Sequence, residues 1–577
     1  MGPTATGTLW RLKEFDAREA LAIAQTAGVE LTAARVLAAR GVRAQSARAH
    51  LSPSLRQEMP DPYVLADMER ATARLARAVL EGERIGVFGD YDVDGTTAAA
   101  LLKLHLEEVG APVSVYLPDR IAEGYGPSIT AFRALAAEGA RVIVTVDCGA
   151  AAEAVIEEAA AEGLDVVVFD HHQMSGPPPK GAVAVVNPNR PDDVSGLRNL
   201  SAAGVAFMAM VALNRRLRQA GHFTHAPEPD LKRRLDLVAL GLVCDVMELK
   251  GLVRAMTAQG LKVLGARTNP GLAVLAERAG VAGPPSTYHL GFLLGPRLNA
   301  AGRVGHARLA LELLTTGDAG RRAVLADQLN RLNAERQEIE ARVLEAALEK
   351  ARGRQESVVT IAGANWHQGV IGIVAGRLKE MLGRPVVVIS VEGGVGKGSG
   401  RSIDGVDLGA AVNAARADGL LLAGGGHPMA AGLSVAENRI DQLADYLDRR
   451  LEGAVNSALM ARRTEIDAVI APLAVSRRFA DLLARAGPFG RGNPEPLFAL
   501  ADMRATGART IGEGHLAVTL SSMVGETLRA VAFRCTERLG EMLRSGRRLH
   551  VAGKIRADDF RGGEAAQFQI VDAAEAA

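Results

Sequence analysis

The sequence predicts an α/β protein: two α/β domains joined by a long helix, followed by a C-terminal β-barrel. In two regions, short apolar runs alternate with alanine-rich amphipathic stretches, a pattern typical of parallel strands alternating with helices. A charged, proline-free segment with helical periodicity separates these regions. After residue 495, five short strand-like runs are separated by turn signals, which indicates a small barrel.

The length of the chain indicates several domains, because 577 residues are too many for one hydrophobic core. The second α/β region and the barrel follow the long helix in the order given above. The predicted segments are 1–75 (helical), 76–317 (first α/β domain), 318–352 (connecting helix), 353–455 (second α/β domain) and 456–577 (barrel).

The composition is that of an ordinary globular protein, with 48% hydrophobic and 23% charged residues. The net charge of +1 favours no class of partner, although a local basic groove is compatible with it. The three cysteines lie far apart, without the spacing of a disulfide framework or a zinc site. The N-terminus has no apolar signal region, and no long apolar run occurs. We therefore expect a soluble, cytoplasmic protein without a membrane partner.

Acidic residues follow the predicted strands of the first α/β domain. The stretch FGDYDVDGTT, residues 88–97, carries three aspartates at alternate positions, and two later strands end in TVDCG and FDHH. Ligands of open α/β sheets bind at the carboxyl ends of the strands. Crowded carboxylates become favourable when cations lie among them, and oxygen ligands with one or two histidines suit Mn²⁺ or Mg²⁺. The residues are Asp90, Asp92, Asp94, Asp147, Asp170, His171, His172 and, closing a later apolar run, Asp245.

Each of these motifs, taken alone, also has a structural explanation. A D-x-D pair is often a turn or a helix cap, and Asp147 could cap the following helix. DxDxDG is similar to a calcium-binding loop, but a strand precedes it and a helix follows where the bidentate acid is expected. The coincidence of several motifs at matching strand ends favours a metal centre.

The order DYDVDG, DCG, DHH and the isolated aspartate of CDVM resembles the motif series of the DHH phosphoesterase superfamily. GKGSGRS at 396–402 and GGGHPMAAG at 424–432 resemble the accessory domain of that superfamily, DHHA1. GPRLNAAGRVG at 295–305 resembles the RecJ branch, which consists of 5′→3′ exonucleases specific for single-stranded DNA. The predicted barrel is similar to the OB-fold of that branch.

This resemblance implies two-metal-ion hydrolysis of phosphodiester bonds in single-stranded DNA, in DNA repair and recombination. Implied partners, besides the DNA, are a single-strand-binding protein and a helicase. Two Mn²⁺ or Mg²⁺ ions would be the cofactors, with Asp147 bridging them. His172 would act on the scissile phosphate, and Asp170 would orient a neighbouring imidazole. The implied ligands are Asp90, Asp92, Asp94, Asp147, His171 and Asp245.

Substrate contacts are expected from three segments. Arginines of residues 295–305 can bind phosphate oxygens, although incidental arginines on a surface loop explain this segment about as well. The glycine-rich runs would let backbone N–H groups approach a phosphate. The candidates are Arg297, Asn299, Arg303, Lys397, Ser399, Arg401 and His427. The barrel would add a cationic track and few aromatic side chains: Arg504, Arg509, Arg529, Lys554, Arg556, Phe533, Phe560 and Phe568.

Two other functions remain open. A phosphodiesterase of the same superfamily that acts on short oligoribonucleotides or dinucleotides would share the metal site, but such relatives are shorter and have no barrel. A non-catalytic replication scaffold on the same fold is expected to lose some ligands, whereas every expected ligand is present here.

Overall fold

A computed structural model describes residues 4–120, 122–174, 176–512, 514–558 and 565–576. The chain divides into two units. The barrel unit contains Met1–Met59, Glu248–Ala258 and Arg462–Ala577, and the two-sheet unit contains Pro60–Met247 and Gln259–Ala461. The segment predicted as an N-terminal helical region, residues 1–75, is thus shared between the two units.

The N-terminal part of the barrel unit is mainly helical, as its alanine-rich sequence predicts. Its helices pack around small residues such as Ala34 and Ala47, which are fully buried. One short strand precedes them and pairs in parallel with a strand near residue 463. The elements are β1 (Leu9–Leu12), α1 (Ala17–Ala27), α2 (Leu31–Ala39), α3 (Ala44–His50) and α4 (Leu55–Glu58).

The first sheet of the two-sheet unit is parallel throughout its described strands, in the order β3-β2-β4-β5-β6. Its central strands are buried on both faces, which explains their continuous runs of Val and Ile. The elements are α5 (Met68–Glu81), β2 (Arg84–Gly89), α6 (Val93–Glu108), β3 (Val113–Tyr116), α7 (Ile129–Ala137), β4 (Ala140–Val146), α8 (Glu153–Ala161), β5 (Asp165–Phe169) and β6 (Ala182–Val186).

A helical region follows the sheet and ends in the long helix predicted for residues 318–351. A π-helical segment, His289–Leu294, leads directly into the helix that carries GPRLNAAGRV. The helices are α9 (Ala202–Gln219), α10 (Leu235–Cys244), α11 (Gly251–Gly265), α12 (Pro270–Arg278), α13 (Gly295–Val304), α14 (Arg308–Thr315) and α15 (Ala319–Ala351).

The second sheet is mixed and has the order β10-β11-β9-β8-β7. Only the β7–β8 pair is parallel in this fully described segment. The elements are β7 (Val359–Ala364), α16 (Gln368–Leu382), β8 (Val386–Glu392), β9 (Val395–Arg401), α17 (Leu408–Ala417), β10 (Ala423–His427), β11 (Ala430–Ala436) and α18 (Ile440–Ala461).

The C-terminal part of the barrel unit contains a closed barrel, with β14-β15-β16-β18-β17 in order and β17 paired back to β14. The predicted fold class is thereby confirmed. Among the described residues, no helix is both long and apolar enough to cross a membrane. The elements are β12 (Arg463–Ile466), β13 (Ala468–Ile470), α19 (Arg477–Arg485), β14 (Phe498–Ile511), β15 (His515–Ser521), β16 (Thr527–Ala532), α20 (Glu537–Arg544), β17 (Arg548–Ala557) and β18 (Ala566–Glu575).

Candidate metal centre

The DYDVDG stretch turns sharply from β2 into α6. Asp92 is the N-cap residue of α6, and its Oδ1 accepts the Gly95 N–H at 3.0 Å. A Cβ at Gly95 would lie 2.6 Å from the Asp90 carbonyl oxygen, so a side chain there would force the turn apart. The three alternating aspartates therefore lie on a tight turn at the carboxyl end of a buried strand.

Asp94 is completely buried in the first turn of α6, and the start of α9 holds its carboxylate in place. Ser201 Oγ donates to Asp94 Oδ1 at 2.8 Å, and the Ala202 and Ala203 N–H groups donate at 2.6 and 3.1 Å. These donors fix the orientation of the carboxylate without bringing a positive side chain to it.

Two of the acidic positions have strained backbone next to them. Asp147 follows β4 with φ of 64°, in the left-handed region that disfavours residues other than glycine. Val246, directly after Asp245, has φ of 57°, and a β-branched residue is particularly unfavourable there. Strain of this kind is concentrated at functional sites, because the surrounding fold must enforce it.

His171 lies at the meeting point of the acids. Its Nε2 is 3.1 Å from Asp147 Oδ1, 3.4 Å from Asp245 Oδ2 and 3.8 Å from Asp94 Oδ2. The potential ligand atoms form three sets, and within each set the atoms lie within 4.8 Å of one another. His171 and Asp147 each belong to two sets, so the sets adjoin. They are Asp147–His171–His172, Asp94–His171–Asp245 and Asp90–Asp92–Asp147.

The carboxylates of this cluster repel one another. Burial and the charge of Asp92 raise the pKa of Asp90 to about 8 and that of Asp94 to about 7. The pKa of Asp147 lies well above its usual range for the same reasons. Asp90 Oδ1 is buried and has no hydrogen-bond partner among the described residues. This donor set, oxygen-rich with one central imidazole, fits two hard divalent cations such as Mn²⁺ or Mg²⁺.

The two histidines of the DHH motif have opposite electrostatic environments. Burial and the neighbouring His172 lower the pKa of His171 to about 4, which keeps it neutral as a metal ligand requires. Burial, the largest single effect, opposes the charged form of His172, but the hydrogen bond to Asp170 and the charges of Asp170, Asp245 and Asp92 together raise the pKa of His172 to about 9. Burial likewise opposes the charged form of Asp170. The same bond, with His172 Nδ1 2.7 Å from Asp170 Oδ1, and the charge of His172 are the largest of the effects that together lower the pKa of Asp170 to about 2.

Three residues that contact the DHH motif, Tyr125, Asn187 and Asn189, were not among the site residues predicted from the sequence. The Tyr125 hydroxyl lies 3.4 Å from His172 Nδ1 and donates to the Asp147 carbonyl at 3.3 Å. Asn187 and Asn189 donate to the His172 and His171 carbonyls at 2.9 and 2.6 Å. The glycines on both sides of Tyr125, in EGYGPS, are a signal of a functional loop that the sequence analysis missed.

Helix α13, which carries GPRLNAAGRV, contacts both the acidic turn and helix α16. A Cβ at Gly302 would lie 2.7 Å from the Tyr91 carbonyl oxygen, so this helix packs directly on the DYDVDG stretch. Arg303 Nη1 donates to the Gly369 carbonyl of α16 at 2.8 Å. The alternative explanation of a surface loop at 295–305 is therefore wrong, because Gly295–Val304 is a helix packed on the acidic turn.

The side chains of α13 are held in place by the protein itself. Arg297 Nε donates to Asn330 Oδ1 at 3.0 Å, and its Nη1 donates to the Leu293 carbonyl at 2.8 Å. Asn299 Oδ1 is buried without a hydrogen-bond partner in the described part of the chain. Arg120, another residue that the sequence analysis missed, lies over the Tyr91 ring at 4.9 Å. Burial and the charge of Arg120 lower the pKa of Arg303 to about 10.

The glycine-rich run at 396–402 is the strand β9. Lys397, Ser399 and Arg401 alternate and so share one face, and Arg401 Nη1 donates to Ser399 Oγ at 3.1 Å. The backbone of β9 pairs with β8 and β11 along both edges. Its glycines pack closely on buried side chains, with a Cβ at Gly398 falling 2.7 Å from Leu433 Cδ1. The expected backbone cradle for a phosphate is therefore wrong for this run, because its amides belong to the sheet.

His427 and Lys397 stay outside the acidic cluster. His427 is exposed at the end of β10, in register with Ala430. Lys397 is exposed on β9. No described contact joins either side chain to the aspartates.

The candidate DNA-binding residues of the barrel differ in whether their side chains are free to contact DNA. Arg556 and Lys554 both bind Glu495, at 2.6 and 3.2 Å, and Arg504 donates to the Gly546 carbonyl. Phe568 is fully buried in the core, so it cannot stack on a base. Phe533 is 48% exposed and packs edge-on against His515. Phe560 lies outside the described residues.

Comparisons with known proteins agree with this architecture. The DHH family N-terminal domain matches residues 84–242, the DHHA1 domain matches 355–453, and the RecJ OB domain matches 466–572. The chain is 38% identical to the single-stranded-DNA-specific exonuclease RecJ of Dickeya dadantii, over 93% of this chain and 94% of that one. It is 36% identical to RecJ of Escherichia coli, over 93% and 94%. The crystal structure of Thermus thermophilus RecJ with Mn²⁺ superposes with a TM-score of 0.83 at 31% identity, covering 99% of this chain and 80% of that one.

Proposed function

The chain belongs to the RecJ family of single-stranded-DNA-specific exonucleases, and we propose that it hydrolyses single-stranded DNA from the 5′ end at its metal centre. The convergence of acids from separate chain segments on the buried His171 carries this proposal. A crystal structure of Thermus thermophilus RecJ also exists in complex with Mg²⁺. For the present protein we propose a cytoplasmic location, with single-stranded DNA as a partner. In repair and recombination the proposed protein partners are a single-strand-binding protein and a helicase.

The proposed ligands are the six residues that the resemblance implies, and Asp147 and His171 would be central among them because each belongs to two of the three ligand sets. When bound, the divalent cations would activate water and neutralise negative charge on the phosphate. Asp94 is preoriented for this role by Ser201 and the α9 N–H groups. His171 is ready as a ligand because it is neutral. The ligands are Asp90, Asp92, Asp94, Asp147, His171 and Asp245.

His172 would act on the reacting phosphate as a cation. Its hydrogen bond to Asp170 uses Nδ1, which leaves Nε2–H to donate to a phosphate oxygen or to the leaving oxygen. Asp170 is itself fixed by the Ala150 and His171 N–H groups, at 3.0 and 2.7 Å. Asp170 therefore positions the imidazole and keeps it protonated.

Phosphate groups of the strand would be bound by the cations next to the acidic turn. Burial and then the charges of Arg120 and Arg401, among others, lower the pKa of Arg303, and burial and then the charge of Arg120 lower the pKa of Arg401. Such a group of guanidinium cations is stabilised when a phosphate lies among them. Arg297, Asn299 and Ser399 belong to the same proposed surface, whereas Lys397 and His427 would contact more distant phosphates.

The test is degradation of a single-stranded DNA that carries different labels at its two ends, with Mn²⁺, Mg²⁺ or a chelator. We expect metal-dependent loss of the 5′ label first, and no loss in the Asp147→Asn variant. Asp445→Asn, a change of an exposed aspartate on α18, is the matched control and keeps full activity.

A matched duplex and a short RNA distinguish the alternatives. Initial loss of the 3′ label would contradict the proposed polarity, and equal degradation of the duplex would contradict the strand specificity. Cleavage of the short RNA alone would indicate a phosphodiesterase for short oligoribonucleotides. Binding without any cleavage would indicate a scaffold.

A further inference from the structure

The barrel unit contains a pocket of about 390 Å³ that the proposed reaction does not use. Its wall is formed by the N-terminal helices, the start of α11 and the loop that precedes β14. Four of the lining side chains are lysines or arginines and one, Glu58, is an exposed acid, while the remaining lining residues are uncharged or apolar apart from His50. The lining residues that matter here are Lys13, Arg40, His50, Glu58, Lys250 and Arg254.

Arg254 is a buried cation in this wall, with 6% of its surface exposed. Its Nη2 donates to the carbonyls of His50 and Gly487, both at 2.7 Å, and of Ala486 at 3.0 Å. Its Nε is buried and has no acceptor among the described residues. Carbonyl oxygens carry no net charge, so the hydrogen bonds of Arg254 leave its positive charge unneutralised.

Two further side chains of the wall carry a buried nitrogen without a partner in the described part of the chain. Arg40 Nη1 donates to Asn493 Oδ1 at 3.0 Å and Nε to Asp467 Oδ1 at 3.4 Å, but Nη2 has no acceptor. His50 Nε2 is likewise unpaired. Buried polar groups are paired in the great majority of cases, so three unpaired nitrogens on the lining residues of one pocket favour a polar ligand there.

The charges around the pocket do not balance. Four cations face three carboxylates: Lys13 and Arg40 share Asp467, Lys250 pairs with Glu248 at 2.8 Å, and the charge of Glu58 acts on Arg254 without offsetting its burial. Burial and then the charges of Arg254 and Arg40 lower the pKa of His50 to about 4, which indicates a positive local potential. Helix α11 begins at Gly251 in the wall, where its positive dipole end and first N–H groups add to that potential.

We propose that this pocket binds a phosphate group, from either a mononucleotide or the backbone of single-stranded DNA. Guanidinium, imidazole and helix N-terminal donors together are the groups that recognise phosphate oxygens. The volume exceeds that of a bare oxyanion and falls in the usual range for small-molecule sites, so a nucleotide can enter. The site would bind product or hold the strand independently of the metal ligands, all of which belong to the two-sheet unit.

Hydrogen exchange of the full chain, followed by mass spectrometry in the presence of a chelator, tests this inference without catalysis. Inorganic phosphate, thymidine monophosphate and an oligothymidylate without terminal phosphate are titrated separately. We expect slower exchange in residues 40–50, 249–254 and 492–494. Lys250→Glu, a charge reversal at a largely exposed side chain, weakens the apparent affinity by about tenfold.

Lys232→Glu is the matched control, since it makes the same reversal at an exposed lysine outside the pocket. Protection by the oligonucleotide alone identifies the backbone as the source of the phosphate, and protection by thymidine monophosphate but not by the oligonucleotide identifies a mononucleotide. The inference is overturned if none of the ligands slows exchange in these segments, or if both variants respond as the original protein does. Because no cleavage is measured, these outcomes are separate from success or failure of the proposed exonuclease.

Discussion

Buried aspartates occur in both units, but their surroundings differ. In the barrel unit, Asp467 faces Lys13 at 3.1 Å, Arg40 at 3.4 Å and the Leu497 N–H at 2.9 Å. Asp572 accepts from the Trp10 indole at 2.8 Å and from the Thr6 N–H at 3.0 Å. In the two-sheet unit, by contrast, the carboxylates of the metal centre lie close to one another, in sets whose potential ligand atoms are within 4.8 Å.

This difference separates acids that stabilise the fold from acids that require an external cation. Burial of a carboxylate is unfavourable unless donors or positive charges compensate it, and the protein supplies them for Asp467 and Asp572. At the metal centre Asp94 does accept three hydrogen bonds, but His171 is neutral and a buried oxygen of Asp90 has no partner among the described residues. Stability has therefore been given up at the centre, which is the usual compromise at a functional site.

The largest expected effect on activity is at His172, a side chain of the metal-centre region that does have a charge partner, Asp170. Replacing His172 with Gln removes the cation that faces the phosphate, and we expect the rate of DNA hydrolysis to fall by about 10³-fold. Tyr125→Phe, which removes a hydroxyl 3.4 Å from His172 Nδ1, should cost about tenfold. Single-turnover rates with saturating Mn²⁺ measure both.

Unchanged melting temperatures would show that these losses are chemical. His172→Gln with full activity would remove the histidine from the proposed mechanism. A Tyr125→Phe effect as large as that of His172→Gln would show that the tyrosine contacts the reacting atoms itself.

Neutralising one aspartate in each region should change stability in opposite directions. Asp467→Asn leaves Lys13 and Arg40 without their shared carboxylate, and we expect a loss of about 3 kcal/mol in the free energy of unfolding. Asp147→Asn relieves repulsion from Asp90, Asp92 and Asp94, so the metal-free protein should become more stable. Denaturant unfolding in chelator measures both, and destabilisation by Asp147→Asn would contradict the repulsive cluster.

Divalent cations should remove that instability. At 100 times the dissociation constant, Mn²⁺ should stabilise the protein by about 2.7 kcal/mol, seen as a raised melting temperature. The Asp147→Asn variant should lose most of this stabilisation by Mn²⁺. The Asp467→Asn variant should keep it, although its free energy of unfolding without metal is lower. An equal metal response in both variants would place the bound ion elsewhere.

The sequence was sufficient to predict the parallel sheet and its acidic edge, because strand ends and alternating aspartates are local patterns. Asp94 shows the limit: its donors begin at Ser201, more than a hundred positions away, and no periodicity links the two segments. Gly398 shows a second limit, since a glycine needed for close strand packing has the same letter as one in a phosphate loop. Tyr125 shows a third limit: it lies in a loop, and only the conformation of that loop places its hydroxyl 3.4 Å from His172 Nδ1.

His105 tests whether every unpaired buried group marks a functional site. It is fully buried on α6, and neither ring nitrogen has a partner among the described residues. Burial, with a smaller effect of Arg234, lowers the pKa of His105 from 6.5 to about 3. A neutral imidazole needs no counter-ion, so this residue demands no cation, unlike the aspartates of the metal centre.

The consequence for stability follows from proton linkage. Between pH 6.5 and about 3 the unfolded chain binds a proton at His105 and the folded chain does not, so stability is lost as the pH falls through this window. The loss should approach about 1.4 kcal/mol per pH unit from this residue alone. His105→Asn should remove that slope, and His225→Asn, at an exposed histidine, should keep it. Urea unfolding at several pH values in chelator measures the difference in stability between the original protein and each variant. The titration of the metal centre cancels in this difference because all of these proteins share it. Parallel curves for the original protein and His105→Asn would show that the imidazole is protonated inside the fold, and the contrast with the metal centre would then need an unseen partner for His105.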